Sequence, residues 1–337
     1  MIIKKGLRST EENDKKVILK LKNVSNLTWA YIAGWMDGDG CISTLKNKDG
    51  YNDRKIHIKL IDREIVEWLA DLFCVSFREA KKENRQDGYN RKTAYVCSVG
   101  GLRSRYICQQ ILPYLIEKTK NAEKFLRSFE NYSRSNQFSK KTIYLPSFEQ
   151  VPYMAHTDEE FMAWFTGYCE AEGAFMICKS VKNRINSKGE HYKYVAPPEV
   201  KFEVVNTNES IMRYCKTRLE KLGFFVRDIG VSKRNYGFFG KKGSKNRRLV
   251  KRKDLFRLFL SSSSAQPLYR AMLPFMRCER KISKVEKSLA IKYRTKKRRK
   301  KVSVADRPLL TNYVTQLTDN EQLYKEYEMK YKKIKLT

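Results

Sequence analysis

The chain has little of what several enzyme classes require. Only three histidines occur in 337 residues, so no clustered imidazoles of the HNH nuclease kind can be assembled, and no Ser/His/Asp or Cys/His nucleophilic set is recognisable. The eight cysteines (Cys41, Cys74, Cys97, Cys108, Cys169, Cys178, Cys215 and Cys278) include no CxxC pair. That spacing argues against zinc modules and disulfide frameworks, and for reduced, mostly buried thiols. No apolar run approaches the roughly 20 residues of a membrane-spanning helix. The start, "MIIKKGLRSTEENDKK", has no apolar stretch behind its basic residues and reads as neither signal peptide nor anchor. The expectation is an intracellular protein, not secreted, of unassigned compartment. Acidic residues are also scarce: 37 Asp and Glu face 70 Lys and Arg, a formal charge of +33. Such a field attracts polyanions, and nucleic acid is favoured over a membrane surface or an acidic protein. The length suits roughly two domains, each with its own core.

What is present is a duplication. "IAGWMDGDGCI" at 32–42 realigns with "FTGYCEAEGAF" at 165–175 under one offset of 133 residues. Gly34 falls on Gly167, Gly38 on Ala171, Asp37 on Glu170, Asp39 on Glu172 and Gly40 on Gly173. Both stretches read as short helices with large apolar flanks and small residues four apart, at Gly34/Gly38 and Gly167/Ala171. That stripe of small residues lets two backbones approach closely, and the natural partner for each helix is the other, about a pseudo-twofold axis. Gly40 and Gly173 are expected to be the left-handed residues that end these helices. Asp39 and Glu172 are then expected side by side at two helix ends, where the dipoles and the like charge disfavour ionisation unless a divalent cation is bound. Hard oxygen ligands select magnesium or calcium. An EF-hand is excluded, because Cys41 and Ile42 stand where a ligand and a glycine are needed and Lys48 replaces the closing Glu.

These paired motifs resemble the LAGLIDADG homing endonucleases in their single-chain, two-repeat form, over roughly residues 28–292. The resemblance implies an α+β fold of two αββαββα halves whose antiparallel sheets form a DNA-binding saddle. It implies a monomer divided as an N-terminal extension (1–27), a first half (28–139), a linker (140–160), a second half (161–292) and a basic C-terminal extension (293–337). By position, Asp39 and Glu172 match the family's metal-binding catalytic acids, with the carbonyls of Gly38 and Ala171 beside them. Asp37 and Glu170 match a more structural position. A further internal match, "LPYLIEKTKNAEKF" from 112 with "LPFMRCERKISKVEKS" from 273, places Lys118 at the family's lysine near the scissile phosphate. The second half departs there: Glu279 aligns with Lys118, and Arg277, Arg280 and Lys281 flank it. Two clefts of unequal rate are expected unless Arg277 or Lys281 supplies the missing charge. Another polar active-site position maps to Lys59 and Asn206.

The segments between support this organisation. "CISTLKNK" and "RKIHIKLI" in the first half, and "FMICKSVK" and "EVKFEVVN" in the second, alternate as strands. Helical "REIVEWLADLF" and "ESIMRYCKTRLEKLGF" follow, then strand-like "TAYVCSVG" and "KDLFRLFLSSSS". Alternate strand positions put Lys46, Lys55, Lys59, Lys179 and Lys201 on an outward face suited to the DNA major groove. Two acid-free basic runs, "KKGSKNRRLVKRK" at 241–253, with Arg247 and Arg248, and "KYRTKKRRKK" at 292–301, suit phosphate binding.

The implied activity is magnesium-dependent hydrolysis of both strands of a long, pseudo-palindromic or asymmetric DNA target, calcium binding without supporting cleavage. An intron maturase acting on intron RNA and a catalytically silent DNA-binding protein are the alternatives. Retention of an acid in both motifs stands against both. A DExK-like nuclease reading of Glu199 and Lys201 lacks an upstream acid. An intein origin is disfavoured, since the chain starts with Met1 and ends "KIKLT" without the His-Asn terminus that splicing requires.

Overall fold

The computed structural model describes residues 2–4, 6–46, 52–80, 92–130, 156–179, 181–185, 189, 191–233, 236–239, 248–251 and 253–291. Most of the expected linker, Arg247 and the C-terminal extension lie outside the described residues. The described residues form two compact units, those up to Ala171 with Phe275–Arg280, and Glu172–Pro274 with those from Lys281 to Ile291.

In the first unit, strand β1 (Ile2–Lys4) and helix α1 (Glu11–Leu21) precede the motif helix α2 (Asn26–Gly38). Ser25 starts α2, its hydroxyl accepting from Thr28 N at 3.3 Å. Strands β2 (Gly40–Lys46) and β3 (Asn52–Leu60), helix α3 (Arg63–Leu72), strands β4 (Phe77–Glu79) and β5 (Tyr95–Gly100), and helices α4 (Gly101–Ile111) and α5 (Thr119–Glu130) follow. The antiparallel sheet runs β1-β4-β5-β3-β2. Period-2 alternation sends Ile42, Ile56, Ile58, Cys97 and Val99 inward, under Ile65, Val66 and Leu69 of α3 and Ile107 and Ile111 of α4, all buried. Each such side chain contributes about 1.5–3 kcal/mol. The N-terminal segment is integral to this unit, because Asp14 of α1 forms a buried ion pair with Arg103 of α4 at 2.6 Å.

The second motif helix, α6 (Asp158–Glu172), belongs to the first unit up to Ala171. Its start is a reciprocal cap: Glu160 N donates to Thr157 Oγ1 at 3.1 Å and Thr157 N to Glu160 Oε2 at 3.0 Å.

The second unit repeats the topology. Strand β6 (Gly173–Cys178), hairpin β7 (Val181–Ile185) and β8 (His191–Val195), strand β9 (Glu199–Asn206), helix α7 (Glu209–Lys221), strand β10 (Gly230–Ser232), hairpin β11 (Tyr236–Phe239) and β12 (Arg248–Lys251), strand β13 (Leu255–Ser261) and helices α8 (Ser262–Met272) and α9 (Glu279–Leu289) follow in order. Its sheet runs β10-β13-β9-β6, the order of β4-β5-β3-β2. Phe175, Phe202 and Leu260 occupy the places of Ile42, Ile56 and Val99. The two hairpins are additions without a counterpart among the described residues of the first unit. The expected αββαββα plan is otherwise present in each repeat.

Candidate active site and nucleic-acid interface

The site is built on α2 and α6. Nearly every residue from Trp29 to Asp37 and from Phe161 to Glu170 is buried, as a helix enclosed on most sides demands. At Gly34 an added Cβ would land on the Trp164 carbonyl oxygen, and at Gly167 on the Tyr31 carbonyl oxygen. The two backbones therefore touch at these glycines, which no larger residue would allow. Gly38 and Ala171 lie further along, half-buried near the helix ends.

The earlier acid of each motif is inside and engaged. Asp37 Oδ2 accepts from Ile116 N at 2.8 Å and Trp164 Nε1 at 3.0 Å, and Oδ1 from Glu117 N at 3.0 Å and Lys118 N at 2.9 Å. Glu170 accepts from Arg277 N and Cys278 N, the latter at 2.8 Å, and from the Tyr31 hydroxyl. Trp164 is the motif counterpart of Tyr31, so each helix donates one side chain to the other's acid. The two acids satisfy the amides that lead into α5 and α9, whose first-turn N–H groups have no helical acceptor. Burial pushes Asp37 up to about 6, opposed by the N–H donors of Ile116, Lys118 and Trp164 and the charge of Lys118. Burial, with the Glu170 charge next, holds Tyr31 well above its ordinary value. Its hydroxyl keeps its proton and donates it.

The later acid of each motif is at the surface. Asp39 caps α2 with right-handed backbone (φ −88°, ψ −3°) and is exposed; Glu172 is the last residue of α6 and is exposed. The expected left-handed glycines are corrected: positive φ among the described glycines occurs at Gly101, Gly189 and Gly223, not at Gly40 or Gly173. Each helix runs straight into its strand. Gly40 is needed for space, since a Cβ there would strike the Cα and Sδ of Met36. The donors at these ends are a solvent-facing carboxylate and main-chain carbonyls, hard oxygens that fit magnesium or calcium and suit no softer metal.

Lys118 does not project outward. Its Nζ lies 2.7 Å from each of the carbonyl oxygens of Met36, Gly38 and Gly40. In the second repeat of the sequence Glu279, which aligns with Lys118, is exposed, and Lys281 takes the place of the amine: its Nζ lies 3.1 Å from the oxygen of Gly173, the counterpart of Gly40. The missing lysine is thus supplied two residues later. Arg277 instead stacks on Trp68 at 4.3 Å. Arg280 binds Asp62 with two 2.8 Å hydrogen bonds. Asp62, Glu64 and Cys278 could together offer three metal ligands, but Arg280 already neutralises Asp62 there.

The site thus consists of two glycine-apposed helices with buried acids, each followed by an exposed acid at the helix end. The chain is similar to LAGLIDADG homing endonucleases. The LAGLIDADG meganuclease I-AabMI bound to uncleaved DNA is 14% identical, with 79% of this chain and 89% of that chain covered and a TM-score of 0.48. I-SmaMI bound to cleaved DNA is 13% identical, covering 79% and 88%, at 0.48. I-GzeII with its DNA target is 14% identical, covering 77% and 88%, at 0.44. No family model matches the sequence, and no curated protein does. At such identity and TM-score the similarity extends no further than fold, and the chemistry has to be carried by this chain's own residues.

Beside the two LAGLIDADG-like helices, the outward sheet faces differ in charge. In the first unit Lys55, His57 and Lys59 of β3 lie with Ser43 of β2 and Arg78 of β4, and His57 Nδ1 is 2.8 Å from Ser98 Oγ. Burial, then the charges of Lys59, Arg78 and Lys55, hold His57 below its ordinary value, so lysine and arginine carry the positive potential. In the second unit Lys201 and Arg257 are each paired with an acid, Glu199 at 3.1 Å and Glu203 at 2.6 Å. Sequence alternation foresaw the lysines but not these pairings, because cross-strand register brings Glu203 into reach of Arg257 on the neighbouring strand. Asn206 ends β9, its Oδ1 accepting from Asn208 N at 2.8 Å, and Lys179 is exposed just past β6. Lys46 and Arg248 sit at strand ends, paired with Asn52 and Phe239. Among the described residues no helix is long and apolar enough to cross a membrane.

Proposed function

We propose that the chain is a site-specific double-strand DNA endonuclease that acts as a monomer and hydrolyses phosphodiester bonds with the help of magnesium. The observation that supports it is the division of labour within each motif: Asp37 and Glu170 are buried and hold structure, while Asp39 and Glu172 stand exposed at the helix ends.

The Gly38 carbonyl, expected beside these acids, already accepts from the Lys118 ammonium at 2.7 Å; Asp39 and Glu172, with the Ala171 carbonyl, would hold the cation. Bound there, it would lower the pKa of a water nucleophile and neutralise charge on the phosphate and leaving oxygen. The chain's own part is to present carboxylates at the helix ends, to keep the two helices rigid through the glycine contact, and to bind DNA along Lys55, Lys59 and Arg78 of the first sheet. The ion-paired Lys201 and Arg257 leave the second sheet nearly neutral, which suits an asymmetric target whose two halves are read by different chemistry: cations toward guanine edges, and Glu203 as an acceptor for cytosine N4. Intron RNA would be drawn to the same basic surfaces, but RNA binding needs no acid at Asp39 or Glu172.

The test is Glu172→Gln, which keeps shape and removes charge. Cleavage of a library-selected DNA site in magnesium should be abolished, with affinity unchanged or higher. Wild-type cleavage by this variant would remove Glu172 from the chemistry.

A further inference from the structure

The lysine at each motif end has a geometry that a phosphate contact does not explain. An ammonium group has three N–H donors and no more. In Lys118 all three have main-chain acceptors at 2.7 Å, the oxygens of Met36, Gly38 and Gly40. These three residues span the junction from the last turn of α2 into β2, and Asp39 sits between the second and the third. The main-chain N–H of Lys118 is fixed as well, by Asp37 at 2.9 Å. The residue is held at both ends by the motif it serves.

The second unit repeats the arrangement by another route. Lys281 enters from α9 two residues beyond the position that aligns with Lys118, yet its Nζ reaches Gly173 O at 3.1 Å and lies 5.6 Å from the Phe175 ring centroid. Its side chain is buried, with the residue 6% exposed. Gly173 follows Glu172 directly. Two lysines from different registers of the repeat thus bring an amine to the same junction carbonyl.

We propose that Lys118 and Lys281 are positioning residues: each ammonium locks the helix-to-strand junction that carries Asp39 or Glu172, and so sets the affinity of that acid for the divalent cation. This rests on the nuclease reading above. Helix-end carbonyls lack intrahelical donors and carry the negative end of the dipole. The ammonium supplies donors and charge together, fixing the carboxylate beside it. Removing it turns the carbonyls to water and frees the junction, and a loosened supporting contact is felt first as weaker ligand geometry.

The test uses the full chain, Lys118→Met, Lys118→Arg, and a DNA site that the wild type selects from a randomised library. Calcium binding to the protein–DNA complex is measured by calorimetry without cleavage, DNA affinity in EDTA, and single-turnover cleavage across a magnesium series. Both variants should weaken calcium binding tenfold or more, with DNA affinity within twofold of wild type and cleavage recovering as magnesium is raised. Arginine should not rescue, because its planar fork cannot converge on three carbonyls as an ammonium does. Unchanged calcium affinity, or a cleavage loss that persists at saturating magnesium and is restored by arginine, would overturn the proposal in favour of a direct contact with phosphate. If Lys118→Met does not fold, Lys281→Met carries the same expectations in the second unit. A wild type that binds no calcium and cuts no DNA would overturn the nuclease reading itself, and the proposal with it, before any variant is made.

Discussion

Asp14→Ala should lower the stability of the first unit by about 3–5 kcal/mol, the cost of leaving a buried charge without its partner. Arg103 is 1% exposed; its Nε donates to Asp14 Oδ1 at 2.6 Å, Nη1 to Cys74 O at 2.8 Å and Nη2 to Leu7 O at 2.9 Å. The other Asp14 oxygen accepts from Ser9 Oγ at 2.9 Å and from Leu102 N, at the start of α4, at 3.0 Å. Truncation therefore strands a guanidinium and leaves two further donors without their acceptor in one step. At roughly 2–4 °C per kcal/mol for a unit of this size, the melting temperature should fall by about 10 °C. Urea unfolding followed by circular dichroism measures it, with an unchanged m-value showing that the native unit is otherwise intact. The double variant Asp14→Leu/Arg103→Met should recover part of the loss, because replacing both charges removes the stranded ion although the carbonyls of Leu7 and Cys74 lose a donor. A loss under about 1 kcal/mol for Asp14→Ala would show that the N-terminal segment is an appendage and that the ion pair holds nothing.

Three other outcomes are expected. Gly34→Ala should cost about 3 kcal/mol, the upper end for overpacking, because the obstacle is the backbone of Trp164 and not a movable side chain; a urea midpoint near wild type would mean the two helices are not in contact there. For Asp37, raised from 3.8 to about 6, the stabilising contribution is present below pH 3.8 and lost as pH rises through 6, by up to ~3 kcal/mol. The stability of wild type minus that of Asp37→Asn should accordingly fall between pH 4 and pH 7 in urea titrations, and a rising difference would show that the four N–H donors outweigh burial. Deleting residues 293–337 should flatten the salt dependence of DNA affinity without changing the preferred site, which selection from a randomised library at two ionic strengths checks; a changed site would mean the extension reads bases.

Much of this protein is decided locally and is legible in its sequence. The duplication at 32–42 and 165–175, the glycines at 34 and 167, and the alternation in "RKIHIKLI" and "EVKFEVVN" gave the motif helices and paired strands, because helix and strand periods are properties of consecutive residues. The rest is set by groups distant in sequence. Gly40 looked like a left-handed stop, but its role is to clear Met36, a contact that only the path from helix to strand creates. Alignment set Glu279 opposite Lys118 and left Arg277 and Lys281 as alternatives, because register compares backbone positions; which of the two long side chains returns its charge to Gly173 is decided by the packing, and it is Lys281. Asp14 and Arg103, 89 positions apart, and Arg257 with Glu203, on neighbouring strands, carry no periodic signal at all. The sequence by itself determined which residues form the two motif helices and which acids end them. Tertiary structure alone decided which acids are buried and which exposed, and where each lysine sends its charge, since burial and the reach of a side chain depend on what the rest of the chain packs around it.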